Sequence, residues 1–198
     1  MIRALLLLLL TGTAAAAAAP ASSDWPCAQR LVPVLSAATY WPGPLPDSAG
    51  AWRDDSGVVA AVEAASPRSV AEADGTQSLR RFLEAVPRDK RQGAAELLFA
   101  GLLEEANRER AAVIARIEEI ARRQREVAAI IARVEGELNA FPSDADQAKR
   151  DEVVQRRAML IRQFEATRRT TRYQCEVPVA IEARLGAYAR ALQAEAGQ

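Results

Sequence analysis

The sequence predicts an all-α protein, an extended antiparallel helical hairpin (a coiled coil) with a small helical N-terminal head packed at its base. Three observations lead to this fold class. Apolar residues recur at alternating steps of four and three between Phe99 and Phe141, no proline occurs from Arg88 to Phe141, and Pro142 follows at once. This combination indicates a long helix with one apolar stripe, a chain reversal and a partner helix.

The apolar stripe, here called the seam, defines the first long helix. Eleven of its thirteen positions are apolar: Phe99, Leu103, Ala106, Arg110, Val113, Ile117, Ile120, Gln124, Val127, Ile131, Val134, Leu138 and Phe141. The two polar positions, Arg110 and Gln124, are interpreted as residues that fix register or oligomeric state. Because the interior is rich in good helix formers, we expect one helix of about 50 residues, ~75 Å long.

A second helix is predicted from Asp144 to Tyr173, with Ser143 as its N-cap. If the turn is centred near residue 142, residue i faces residue 285 − i, and the apolar side of the second helix meets the seam. Beyond Phe164 the second helix becomes polar. Seam residues 106–117 are therefore expected to lack an apolar partner.

A kink or break is predicted at Val177-Pro178, because proline suits the first turn of a helix. A last helix should then run from Val179 to about Ala194. By the same alignment it lies beside residues 93–106, where it thickens the hairpin base.

Residues 22–87 are predicted to form the head, and residues 88–198 the hairpin with its C-terminal helix. All three tryptophans and seven of the ten prolines lie within residues 22–87. Short helices are expected in the head at Arg30–Ala38, Val58–Ala65 and Ser78–Val86, and a capping box at Ser69-Val-Ala-Glu72.

The N-terminus is interpreted as a cleavable signal peptide, residues 1–21. Arg3 supplies the positive charge, Ala4–Leu10 is apolar but too short to span a bilayer, and Ala19-Pro-Ala21 offers small residues for cleavage. No later segment reaches the ~18 apolar residues of a membrane span. We therefore expect a soluble protein exported to the bacterial periplasm, without a transmembrane segment after cleavage.

The two cysteines, Cys27 and Cys175, are predicted to form one disulfide, since an oxidising compartment favours their pairing. A bridge between positions 148 apart in the chain would stabilise the fold by roughly 4–5 kcal/mol in the chain-entropy model. There is no Cys-x-x-Cys motif. A structural role is favoured over a redox role.

Charge and composition exclude several functions. After loss of the leader, 25 basic residues face 26 acidic ones, so no net positive charge points to nucleic acid. The chain has no histidine, which removes the most common general base and transition-metal ligand. We expect no catalytic activity, no metal and no cofactor.

Candidate partner-binding residues fall in three places. The basic stretch around Arg168, Arg169 and Arg172 fits an acidic partner or anionic lipid head groups, against the simpler interpretation of a solvated helical face. Trp25 and Trp41 form either an aromatic platform or the core of the head. Phe141 marks the hairpin tip.

The function predicted from these features is that of an exported coiled-coil interaction or scaffold protein that binds another periplasmic protein, with chaperone-like action on a client as one form. Pairing of the long helices between two copies in a homodimer is a second arrangement. The alternative function is that of a ligand-binding or accessory subunit of an exported enzyme complex, with the tryptophan-bearing head as the site.

Overall fold

The computed structural model describes residues 24–46, 50–142 and 146–197. Within them the chain is helical and contains no strand; its helices are α1 (Ser56–Ala65), α2 (Glu72–Ala85), α3 (Arg91–Asn139) and α4 (Gln147–Ala196), with 3₁₀ turns at Ala37–Thr39, Ala51–Asp54 and Arg88–Lys90. The predicted all-α helical hairpin is confirmed: α3 and α4, of 49 and 50 residues, pack against each other. The predicted signal peptide and the predicted N-cap Ser143 lie outside the described residues.

Helix α1 begins after Asp55, whose carboxylate accepts hydrogen bonds from the backbone N–H groups of Gly57 (2.8 Å) and Val58 (3.1 Å). These bonds satisfy donors that the first turn of a helix leaves unpaired. Its inner face consists of residues three or four apart: Val58, Ala61, Val62 and Ala65. The short helix predicted here is confirmed.

Helix α2 begins at Glu72 and has Ala71 as its N-cap, without a side-chain hydrogen bond. The predicted capping box from Ser69 to Glu72 is therefore wrong. The turn before α2 is fixed from α4 instead, where Arg184 donates hydrogen bonds to the carbonyls of Ser66, Pro67 and Val70 at 3.0–3.2 Å. These bonds occupy the carbonyls that the end of α1 and the turn leave free.

The helix predicted at Arg30–Ala38 is wrong. The described chain there is irregular apart from the turn at Ala37–Thr39. Pro33 lacks an N–H donor in the middle of the stretch. The backbone of Leu35 is hydrogen-bonded to the Asn107 side chain on α3, which replaces the bonds that a helix would supply.

Helix α3 confirms the predicted first long helix. Every seam position is buried or half-buried, while most positions between them are exposed. The exposed ones include Arg116, Arg123 and Arg133, on the outer faces. The four-three spacing therefore identifies the side of α3 that contacts the rest of the protein.

Helix α4 is continuous from Gln147 to Ala196, so the break predicted at Val177-Pro178 is wrong. Pro178 lies inside the helix and is fully buried. In the preceding turn the Cys175 carbonyl accepts a hydrogen bond from Gln29 Nε2 (2.5 Å), outside the helix. The helical hydrogen bond lost at proline is the one to the Gln174 carbonyl, and the packing around the buried Pro178 compensates for it. Asp146 caps the start of α4, where its carboxylate accepts a hydrogen bond from the Ala148 N–H (2.9 Å).

The two long helices pair one heptad away from the predicted register. The predicted alignment sets Arg157 opposite residue 128, whereas its ion pair is with Glu135 (2.6 Å). It sets Arg110 opposite residue 175, whereas its ion pair is with Glu182 (2.5 Å). Both partners lie seven residues beyond the predicted ones. Because a shift of seven returns the same face of a coiled-coil helix, the seam is preserved.

The shift gives seam residues 106–117 an apolar partner after all. Val113 and Ile117 pack with Ile181, and Val177 lies against the same cluster. The expectation that this part of the seam faces only threonine and arginine is wrong. It rested on the turn position, which does not fix the register of two long helices.

One core joins the head to the hairpin base. Trp52 and the inner faces of α1 and α2 pack against Phe99 of α3 and Leu185 of α4 in a single cluster. Gly101 permits a close approach of α1 to α3, since a Cβ there would lie 2.8 Å from Val62 Cγ2. No helix in the described residues is long and apolar enough to cross a membrane.

Candidate functional site

Residues 24–36, here called the strap, lie across both long helices without regular secondary structure. The Asn107 side chain accepts from the Leu35 N–H (2.7 Å) and donates to the Leu35 carbonyl (3.2 Å). Arg110 donates to the Val32 carbonyl (2.5 Å). The strap is thus held mainly through its backbone, as an extended peptide is held in a groove.

The other end of the strap is fixed covalently. Cys27 and Cys175 form a disulfide with a Cα–Cα distance of 5.6 Å, so the predicted pairing is confirmed. Trp25 donates from Nε1 to the Gln29 carbonyl (2.8 Å) and packs with Cys27 against the cluster of Val113, Ile117 and Ile181. The strap therefore covers apolar surface where the two helices leave the head.

Arg110, one of the two polar seam residues, is the most buried charge at this junction. Its side chain is 3% exposed and bridges the strap to α4 through the Val32 carbonyl and the Glu182 carboxylate. Its Nε has no hydrogen-bond partner in the described residues. Burial, and then the Glu182 carboxylate, raise the pKa of the neighbouring Tyr40 phenol above its ordinary value of 10.0, while Arg110 opposes this. These contacts agree with a role in fixing register.

The observed register brings two groups of arginines to the same level of the hairpin. Extending the register of the Arg110–Glu182 and Glu135–Arg157 ion pairs along the hairpin sets residues 122–125 of α3 opposite residues 167–170 of α4. We call the resulting set the arginine belt: Arg122, Arg123 and Arg125 of α3 with Arg168, Arg169 and Arg172 of α4. All six are exposed.

Part of the arginine belt is neutralised within the protein. Asp24 of the strap pairs with Arg122 (3.8 Å) and Arg125, and Arg123 pairs with Glu119. Arg168 pairs with Glu165 (3.2 Å). Arg169 and Arg172 form no ion pair with any described residue. Of the predicted candidates, these two are the guanidinium groups open to an anion.

An open cleft of about 520 Å³ lies beside the disulfide, between the strap and the outer side of α4. It is lined by Pro26, Cys27, Ala28, Gln29, Arg172, Cys175, Glu176, Val179, Ala180 and Ala183. Val179 is 49% exposed, a high value for a branched apolar side chain. The cleft, here called the disulfide cleft, combines apolar walls with one unpaired arginine.

A second cleft, of about 420 Å³, lies where the end of α1 meets α3 and α4. Its apolar floor includes Leu102 and Ile181, and its rim carries charged side chains. Most of the rim charges are paired internally: Arg184 with Glu109 (4.0 Å), Glu109 also with Arg68 (2.5 Å), and Arg108 with Glu105. Glu63 is the exception among the described rim residues. This cleft therefore offers fewer free polar groups than the disulfide cleft.

The remaining predicted candidates lie apart from these clefts. Trp41 is 4% exposed and stacks on Phe99 with ring centroids 4.9 Å apart, so its ring belongs to the core. Trp25, which belongs to the strap, is half-buried. Phe141 is half-buried at the hairpin tip, beside the exposed Pro142. The structure does not bring Trp25, Trp41 and Phe141 together.

Sequence reasoning did not identify Gln29, Val179 or Ala183 as candidates. Their position at one cleft depends on the strap crossing α4, which the disulfide enforces. The only signal available in the sequence was the pairing of Cys27 with Cys175. It indicates that their neighbours converge, but not which side of α4 they reach.

Among the described residues no group of three or more cysteine, aspartate or glutamate side chains is arranged to hold a metal ion. No family model, curated protein or solved structure matches this chain.

Proposed function

We propose that this chain is an exported, non-catalytic interaction protein, a scaffold or chaperone-like binder, and that it engages another exported protein through the far part of its hairpin. That part, here called the arm, comprises residues 118–139 of α3 and 147–174 of α4. At 1.5 Å per residue, its α3 portion projects roughly 33 Å.

The observation that carries the proposal is that the arm lies outside the core. Neither hydrophobic cluster of the described protein includes a residue beyond Ile117 of α3 or before Cys175 of α4. Only four described arm residues are buried: Ala121, Val134, Val153 and Thr171. The base therefore has its own packing, and the arm presents both helices to the surroundings.

The chemistry of the arm suits a protein surface. Ion pairs from Glu135 to Arg157 (2.6 Å) and from Glu137 to Arg156 hold its helices together near the tip. On either side of these arginines along α4, Val154 is 46% exposed and Met159 is 63% exposed. Methionine adapts its shape to a partner, and exposed apolar side chains among charges are typical of binding surfaces.

Export is part of the proposal. A disulfide is compatible with an oxidising compartment, where such bonds persist. The absence of histidine from the sequence supports a role without acid–base catalysis.

The test compares the oxidised protein with a variant that has a shorter arm. Deleting residues 127–133 together with 159–165 removes one heptad from each helix at matched levels, so that the seam, the tip and the base remain. Both proteins are used as bait in a periplasmic extract. A protein retained by the wild type is identified by mass spectrometry, purified and titrated against both baits.

We expect the purified partner to bind the wild type and to bind the short-arm variant at least tenfold more weakly. The Met159→Ser variant, which keeps the arm length, should show an intermediate loss. Equal affinity for all three baits would overturn the proposal. Light scattering of the wild type separates a monomeric binder from a homodimer in which the arms pair with each other.

A further inference from the structure

The disulfide cleft holds an unpaired cation beside apolar walls. Arg172 lines it and makes no ion pair or side-chain hydrogen bond with any described residue. Arg169 lies one helical turn away on α4, exposed and equally without an ion pair. Two guanidinium groups three residues apart on a helix are close enough to share one anion. Arginine recognises carboxylate and phosphate oxygens with paired hydrogen bonds.

The walls next to Arg172 are apolar and leave room. Val179 and Pro26 contribute branched or ring carbons, and Ala180 and Ala183 leave space on α4. The volume of about 520 Å³ falls in the range of roughly 300–1,000 Å³ typical of small-molecule sites. An apolar chain in the cleft would remove the exposed side chain of Val179 from water.

One acidic group also lines the cleft, and it allows the sign of the electrostatics to be tested. Glu176 lies four residues after Arg172 but forms no ion pair with it. Its carboxylate would repel a bound anion and attract a bound cation. Arg172 should therefore favour an anionic ligand, whereas Glu176 should favour a cationic one.

We propose that the disulfide cleft binds an amphiphilic anion, with its carboxylate or phosphate at Arg172 and Arg169 and its single apolar chain against Val179, Ala183 and Pro26. Arg169 and Arg172 belong to the end of the arm nearest the base, whereas Val179, Ala183 and Pro26 lie outside the arm. Because Pro26, Cys27 and Ala28 form one wall, the site exists only while the Cys27–Cys175 disulfide holds the strap on α4.

The probe is dodecanoate, titrated below its micelle concentration into the oxidised protein by calorimetry. Dodecylammonium has the same chain with the opposite charge, and acetate has the same charge without the chain. A lysophospholipid with a dodecanoyl chain and an anionic head group distinguishes a lipid source from a free fatty acid. We expect dodecanoate or the lysophospholipid to bind with one molecule per chain, and the ammonium and acetate probes to bind at least tenfold more weakly.

Substitutions assign the binding to the cleft. Arg172→Gln should weaken dodecanoate binding about fivefold and Glu176→Gln should strengthen it about twofold, the scale of partly exposed charge pairs. Arg162→Gln, an exposed arginine ten residues away on the same helix, is the matched control and should bind as the wild type does. The double variant Cys27→Ser, Cys175→Ser should lose binding while it retains its helical circular dichroism.

Three outcomes would overturn the proposal. Dodecylammonium could bind as tightly as dodecanoate, Arg172→Gln could leave the affinity unchanged, or the control Arg162→Gln could lose as much as Arg172→Gln. If the double cysteine variant unfolds, the charge variants still decide the question, because they leave the disulfide in place.

Discussion

Arg110 of α3 and Glu182 of α4 form an ion pair at 2.5 Å in which the arginine is buried and the glutamate reaches solvent. This asymmetry gives the two partners different energetic roles. Removing Glu182 leaves a desolvated cation, whereas removing Arg110 leaves a carboxylate that water can reach. The pair also fixes the register of the hairpin, because a shift of one heptad would separate the two residues.

We therefore predict that Glu182→Ala lowers the free energy of unfolding by about 1.5–3 kcal/mol, the scale of a lost hydrogen bond to a charged group. Arg110→Met, of similar length and apolar, should cost less than Glu182→Ala, since the methionine suits the surrounding apolar side chains. Urea unfolding monitored by circular dichroism gives both values. A larger loss for Arg110→Met than for Glu182→Ala would contradict this account.

The disulfide should contribute strongly to stability, since Cys27 and Cys175 close a loop with a sequence separation of 148. We expect the Cys27→Ser, Cys175→Ser variant to lose about 4–5 kcal/mol of unfolding free energy. Most of this effect acts on the unfolded chain. Wild type unfolded with and without a reducing agent provides the control, and reduction should leave the double variant unaffected.

Two glycines of α3 should respond oppositely to the same substitution. A Cβ at Gly101 would lie 2.8 Å from Val62 Cγ2 and 2.9 Å from Trp52 Cδ2, whereas a Cβ at Gly136 would meet nothing within 4 Å. Gly101→Ala should therefore destabilise the protein by about 1–3 kcal/mol through overpacking. Gly136→Ala should stabilise it by up to ~1 kcal/mol through helix propensity. Thermal unfolding of both variants tests the contrast, which the same sign for both would refute.

Glu104 should make stability depend on pH. Hydrogen bonds from Arg53 (2.6 and 2.9 Å), and then from Trp52 (2.9 Å), hold the pKa of its carboxyl below the ordinary value of 4.5. A pKa lowered in the folded state contributes stability that is complete above the ordinary value and is lost as the pH falls through the folded value. Since Glu104 is about half exposed, the contribution is on the order of 0.5–1 kcal/mol.

The measurement is the unfolding free energy of wild type and Glu104→Gln at pH 7 and pH 3. At pH 7 the unfolding free energy of the wild type should exceed that of Glu104→Gln, and this difference should be smaller at pH 3. Glu63→Gln, at an exposed position of α1, is the matched control and should follow the wild-type profile. A difference in unfolding free energy of the same size at both pH values would show that the Glu104–Arg53 ion pair does not cause the pH dependence.

The hairpin should be visible in solution as an elongated particle. A globular domain of this length has a radius of gyration of about 16 Å. Two helices of ~75 Å should raise the value above ~20 Å in small-angle scattering. The short-arm variant should be shorter by about 10 Å in its largest dimension, and a wild-type value near 16 Å would rule out the extended hairpin.

Local patterns predicted the long elements well and the surface contacts less well. Glu119 and Arg123, four residues apart on α3, form an ion pair within the helix. In contrast, Glu104 pairs with Arg53 and not with Arg108, four residues later on its own helix. Likewise Arg156 pairs with Glu137 of α3 and not with Glu152. Within a helix, an oppositely charged residue four positions away is close enough to form an ion pair. A side chain from another element takes its place where tertiary packing brings that side chain closer.

The sequence by itself determined the all-α hairpin, the face of α3 that is buried and the identity of the disulfide partners. These follow from residue spacing, helix propensity and the presence of only two cysteines, which are local or combinatorial properties. The tertiary structure decided the register of α4, the continuity of that helix through Pro178 and the path of the strap. Each depends on contacts between residues far apart in the chain. The residues that pack against these elements determine whether the helices shift by a heptad, whether a helix continues through a proline and which path an irregular segment takes.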